Sequence, residues 1–208
     1  GSQTVQGTAS HTVIGSGGVQ SVEGGGTAFN AVLNSGGRQA VLSGGTASAS
    51  TVAAGGSLTV SGRAQSVSIQ SGGVETVAAG GVDTGAGISA GGRQEVGGSA
   101  LGATIDTGGV QAVSSGGLAS ATGVISGGTQ QVLAGGRAQD TAVNTGGVQT
   151  LASGGLAQAT TLYGGRQEVS AGGLAQGTVV NWGGQQNVSG TASGAVLNAS
   201  GTQTLLAG

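Results

Sequence analysis

The stretch "GGRQAVLSGGTASASTVAA", residues 36–54, recurs along almost the whole chain. Numbered 1 to 19, it aligns with further copies starting at Gly17, Gly55, Gly72, Gly91, Gly108, Gly127, Gly146, Gly164 and Gly183, with partial copies at both ends. Copies run from 17 to 19 residues, and the shorter ones lose residues beside a Gly pair, where a bend can absorb the loss. A fixed period of this size marks a stacked repeat architecture and takes precedence over any local reading.

The columns of the alignment carry the fold. Position 6 is aliphatic throughout, with Val22, Val41, Val60, Val77, Val96, Val113 and Val132 in seven consecutive copies. Position 17 is Leu33, Val52, Ile69, Ile88, Ile105 and Val124 in the same region, and position 12 is Ala in every copy except the one holding Asp83. Positions 4 and 6 share one face, as do 15 and 17, and this period of two is strand spacing. Each strand lasts about 3 to 5 residues before a Gly-rich bend, since Gly reaches the positive φ angles that such bends need.

One unit with two aliphatics and an Ala cannot offset its own chain entropy, so the copies must stack. Stacking at about 4.8 Å per turn lays Val over Val and Ala over Ala. The expected fold is all-β, a right-handed parallel β-helix (β-solenoid) of about eleven 17–19-residue turns forming one domain over residues 1–208, a rod on the order of 50 Å long. Position 4 holds Gln20, Gln39, Gln94, Gln111, Gln130 and Gln149, broken by Leu58 and Glu75. Stacked amides can donate and accept along the axis, so this column reads as a structural ladder. Glu75, unable to donate when ionised, is expected to be a weak or solvated rung.

Composition narrows the function. The chain has 50 Gly, no Pro, Cys, Met or Lys, and only Phe29, Tyr163 and Trp182 as aromatics, which rules out a conventional aromatic core. A formal net charge of −2 gives too weak a field for nucleic acid or an anionic membrane. Absence of Cys removes disulfides and thiolate metal sites. No apolar run approaches the roughly 20 residues of a membrane span, and residues 1–20 lack the regions of a signal peptide, so the sequence reads as a mature fragment.

Catalytic chemistry is sought and not found. The acids Glu23, Glu75, Asp83, Glu95, Asp106, Asp140 and Glu168 read as scattered, with only Arg93–Glu95 and Arg166–Glu168 as local surface pairs. His11 stands alone as an exposed bystander, with no partner for a triad. No metal site, cofactor or enzymatic activity is expected, and a β-helix polysaccharide-degrading enzyme is the least favoured reading. Tyr163 and Trp182 end consecutive copies and should stack across adjacent turns; such a pair fills a corner or binds sugar.

The unit "GGxQxVxxGGxAxxTxVxx" resembles the passenger repeat of AIDA-type, antigen-43-like self-associating autotransporter adhesins of Gram-negative bacteria. The likeness covers essentially all of the chain. It implies a fragment of a larger passenger, exported and displayed on the cell surface at the outer membrane, which drives autoaggregation, biofilm formation and in some members host-cell binding. It also implies a bacterial autotransporter heptosyltransferase as partner, which O-links heptose to Ser and Thr of the repeats. An alternative within the family has the attached heptoses carry adhesion on a passive rod. A transferase needs an exposed hydroxyl on a regular surface, and position 13 points outward beside the inward Ala. Ser10, Ser48, Ser120 and Ser193 occupy it and are the candidate acceptors.

Overall fold

The computed structural model describes residues 1–206. Each turn contributes three short strands to three parallel sheets. Sheet A has twelve strands, from Ser2–Val5 to Thr202–Leu205; sheet B has eleven, from Thr8–Ser10 to Thr191–Ser193; sheet C has eleven, from Val13–Ile14 to Val196–Leu197. Every strand pairs with the one three places further along the chain, which is the topology of a β-solenoid of eleven turns closed by one additional sheet A strand.

Register follows the repeat columns. Val22 pairs with Val41 and Val41 with Val60 in sheet A, Ala28 with Ala47 and Ala47 with Ala64 in sheet B, and Leu33 with Val52 and Val52 with Ile69 in sheet C. These residues are all buried. So are Val77, Val96, Val113 and Val132, which continue the sheet A column. A slip of one residue would turn each column to solvent, so the apolar pattern fixes the register. Five inward positions, 4, 6, 12, 15 and 17, fill each layer, and at position 12, where sheet B faces the others, the narrow interior holds Ala in every turn but the one with Asp83.

Corners explain the glycines. Gly36 turns the chain at φ 74°, a region costly for other residues. Its neighbour Gly37 is needed for a different reason: a Cβ there would lie 2.1 Å from the Ile14 carbonyl oxygen of the preceding turn. Between sheets B and C the corner is a single residue with positive φ, at position 14. His11, Asn30, Ala49, Ser66, Ala121, Asp140 and Ala159 hold φ between 52° and 55° there, and Gly85, Gly102, Gly177 and Gly194 take the same place in other turns. The mixed residue types at that position hide this corner from a reading by composition alone.

Candidate functional site

The interior amide column is a directed hydrogen-bond chain. Gln20 Nε2 donates to Gln3 Oε1 at 2.7 Å and Gln39 Nε2 to Gln20 Oε1 at 2.5 Å. After a gap of two turns the chain resumes: Gln111 donates to Gln94, Gln130 to Gln111, Gln149 to Gln130, Gln167 to Gln149, Gln186 to Gln167 and Gln203 to Gln186, all at 2.6–2.8 Å. A hydroxyl at position 15 of the same turn adds a second donor to several amide oxygens: Ser50 to Gln39, Thr141 to Gln130, Thr160 to Gln149 and Thr178 to Gln167, at 3.0–3.1 Å. Every amide N–H thus points toward the N-terminal end, and the dipoles reinforce one another in a dry interior.

Two acids meet inside the gap. Glu75 and Asp83 occupy positions 4 and 12 of a single turn and are both fully buried. This corrects two expectations: Glu75 is not solvated, and the acids are not all scattered. Gln94 Nε2 donates to Glu75 Oε2 at 2.8 Å and to Asp83 Oδ2 at 2.9 Å. The other oxygens, Glu75 Oε1 and Asp83 Oδ1, have no hydrogen-bond partner. Burial, and then the charge of Asp83, push the Glu75 carboxyl well above the usual range. Burial pushes Asp83 up to about 6, against the opposing hydrogen bonds. The pair is closed to solvent, so it has no route to a substrate; among the described residues no group of three or more metal-ligating side chains occurs.

Outside, position 13 forms a row along sheet B in which Ser10 pairs with Phe29, Phe29 with Ser48 and Ser48 with Gln65. Ser120 lies between Leu101 and Gln139, and Ser193 beside Gln176. Ser10 and Ser193 are exposed, whereas Ser48 and Ser120 are half-buried by those larger neighbours. Arg93 pairs with Glu95 at 3.0 Å and Arg166 with Glu168 at 3.1 Å, both on the surface. His11 is exposed, 3.4 Å from the Asn30 amide. Tyr163 and Trp182 stack with ring centroids 5.6 Å apart.

The family model for the adhesin of the bacterial autotransporter system, described as its probable stalk, matches residues 24–73. Comparison with curated proteins returned no match. Among solved structures, the crystal structure of a TibC-catalysed, hyper-glycosylated fragment of TibA, residues 55–350, is similar with a TM-score of 0.82 and 38% identity, covering 99% of this chain and 85% of that one. An even rod of stacked turns together with these likenesses defines the class, a surface-exposed passenger of a bacterial outer-membrane autotransporter. Within that class the chain belongs to the AIDA-type autotransporter adhesins.

Proposed function

We propose that this passenger mediates self-association between cells and adhesion to surfaces, and that it is an acceptor for O-linked heptose on Ser and Thr of its repeats. Glycosylation of the similar TibA fragment by TibC supports a transferase of that kind as partner. The observation that carries the reading is the outward row at position 13, where Ser10, Ser48, Ser120 and Ser193 stand on a sheet of constant register, one residue before the sheet B to sheet C corner. A transferase that recognises one turn meets the same backbone at the next. Self-association would run side by side, with affinity built from many weak contacts along the rod.

Co-expression with an autotransporter heptosyltransferase, followed by intact-mass and peptide mapping, tests the acceptors. The expected result is added heptose on peptides containing Ser10, Ser48, Ser120 or Ser193. No added mass, or modification confined to the exposed turn serines such as Ser16 and Ser35, overturns the assignment. Bead aggregation with and without the transferase separates an adhesive rod from a rod that only presents sugar.

A further inference from the structure

Most of the surface follows from the repeat, but one patch does not. Trp182 closes its turn 71% exposed, and Tyr163, closing the turn before it, is 39% exposed. Their rings are tilted by 30° at 5.6 Å. At the corner where sheet C passes to sheet A, other turns place a small residue, such as Ser16, Ser35, Ala54, Ser71 or Ser126, before a positive-φ Gly. Trp182 has φ 41° and Gly183 φ 79°, two successive positive φ values that elsewhere fall on the small pair Ala90–Gly91, and a non-Gly position of this kind favours Asn or Asp. A bulky indole in that conformation is strained, and strain of this kind concentrates where a site is built. The core gains nothing from an indole so exposed.

The surroundings are polar. Asn144 pairs with Tyr163 and Tyr163 with Asn181 in sheet C register, and Asn198 Nδ2 donates to Asn181 Oδ1 at 2.7 Å. Immediately beyond the corner, Arg166 and Gln185 line an open groove of about 310 Å³ beside Gly164 and Gly183. An aromatic shelf set in a row of amides suits a sugar better than an apolar protein surface. The axial C–H groups of a pyranose present a weakly positive face to the negative face of an aromatic ring. Amides supply donors and acceptors together for its hydroxyls.

We propose that Tyr163 and Trp182, with the amides of Asn144, Asn181 and Asn198, form a carbohydrate-binding shelf that takes a pyranose of a glycan. The inference rests on the adhesive reading above. The ring could come from the O-linked sugar of a neighbouring copy or from glycans of another surface, and the shelf would give either one a defined place.

Trp182 is the sole tryptophan, so its fluorescence reports on this site alone. The unmodified chain is titrated in separate arms with free mannose, galactose and glucose, with a glycan-coated bead, and with a heptosylated copy carrying Trp182→Ala, which does not emit. A saturable shift of the emission in the sugar or bead arms assigns the shelf to external glycans; a shift only with the heptosylated copy assigns it to neighbour sugars. Tyr163→Ala should weaken either response about tenfold or more, as loss of an aromatic anchor does. Circular dichroism on Tyr163→Ala checks that the fold is kept, and Asn181→Ala gives a second, milder variant. No shift in any arm, or an equal shift with an unmodified Trp182→Ala copy, overturns the proposal. Heptosylation and bead aggregation of the Trp182→Ala chain, measured separately, show whether the adhesive reading has failed as well.

Discussion

The amide column behaves differently on the two sides of residue 90. From Gln94 to Gln203 each amide donates to the one before it without interruption, whereas the two turns before Gln94 hold Leu58 and then Glu75. At Leu58 the hydroxyl position of the same turn is Val67, also buried, so donor and acceptor are lost together and the layer is simply apolar. Replacing both partners of a hydrogen bond by apolar groups is close to neutral, and removing one is not. Glu75 then solves the problem of starting a ladder above an apolar layer. A Gln there would aim its N–H groups at Leu58, while the Glu75 carboxyl accepts one Gln94 hydrogen and Asp83 accepts the other. Glu75 also sits at the positive end of the aligned amides, so the Gln94 hydrogen bond favours its ionised form, although burial outweighs that and raises its pKa. Its second acid, Asp83, makes this terminator sensitive to pH.

The strongest way to break the comparison is to put the apolar solution inside the continuous ladder. Gln130→Leu removes the bonds to Gln111 and from Gln149, and strands the buried Thr141 hydroxyl that donates to Gln130. With each unsatisfied buried group costing about 1–3 kcal/mol, the expected loss is about 4 kcal/mol in a denaturant titration. Adding Thr141→Val copies the Leu58–Val67 layer and should restore part of that stability. A double variant no better than the single one would show that the hydroxyl column carries no weight.

The acid pair gives the next largest effect. Both carboxyl groups are shifted upward, so the folded chain keeps protons that the unfolded chain releases. Stability is therefore full below the ordinary carboxylate range near pH 4 and is lost as pH rises through about 6 for Asp83, and further as Glu75 ionises. The side chains packed on the pair, Leu58, Ala64 and Val67 below, Ala86 in the same turn, and Gln94, Ala100 and Ala103 above, do not titrate. For Asp83 alone the loss is on the order of 3 kcal/mol between pH 4 and pH 8. Asp83→Ala restores the residue that every other copy carries at position 12 and removes the group raised to about 6. It should raise stability at pH 8 by about 2 kcal/mol, a gain absent at pH 4. Thermal melts at the two pH values check both; equal melts for the parent chain would sink the buried-pair account.

Legibility in the sequence divides along the same line. The period and the columns of Val41, Ala47 and Val52 are enough to read a parallel solenoid, because a stacked repeat forces like residues into register. The outlier turn was readable too, but only column against column. Both exceptions, Glu75 and Asp83, fall in the copy that starts at Gly72, and its position 15 is Ala86, which offers them no hydroxyl. Taking the acids one at a time hides that positions 4 and 12 face one interior. The strained Trp182 corner had no such signal, since φ is not written in residue type when Ala, Asn, Ser and His all serve at positive φ elsewhere. Half-burial of Ser48 and Ser120 likewise depends on Phe29 and Leu101 in neighbouring turns, a contact between layers that a single copy does not contain.

The smallest expected effect sharpens what burial contributes. Arg93 and Glu95 flank Gln94 on the same strand but face outward, where they pair at 3.0 Å with their side chains nearly half exposed. Gln94 between them faces inward to the acid pair. Arg93→Ala leaves Glu95 without its partner, yet water solvates that carboxylate, and an exposed pair of this kind is worth roughly 0–1 kcal/mol. The variant should unfold within about 0.5 kcal/mol of the parent at pH 7, and the small difference should vanish in 1 M salt, where charges more than about 3 Å apart are screened. The pH dependence assigned to Glu75 and Asp83 should persist unchanged in that salt, because ions do not reach the interior. If salt removes the pH dependence as well, the titrating groups are on the surface and the buried pair is not what makes this turn different.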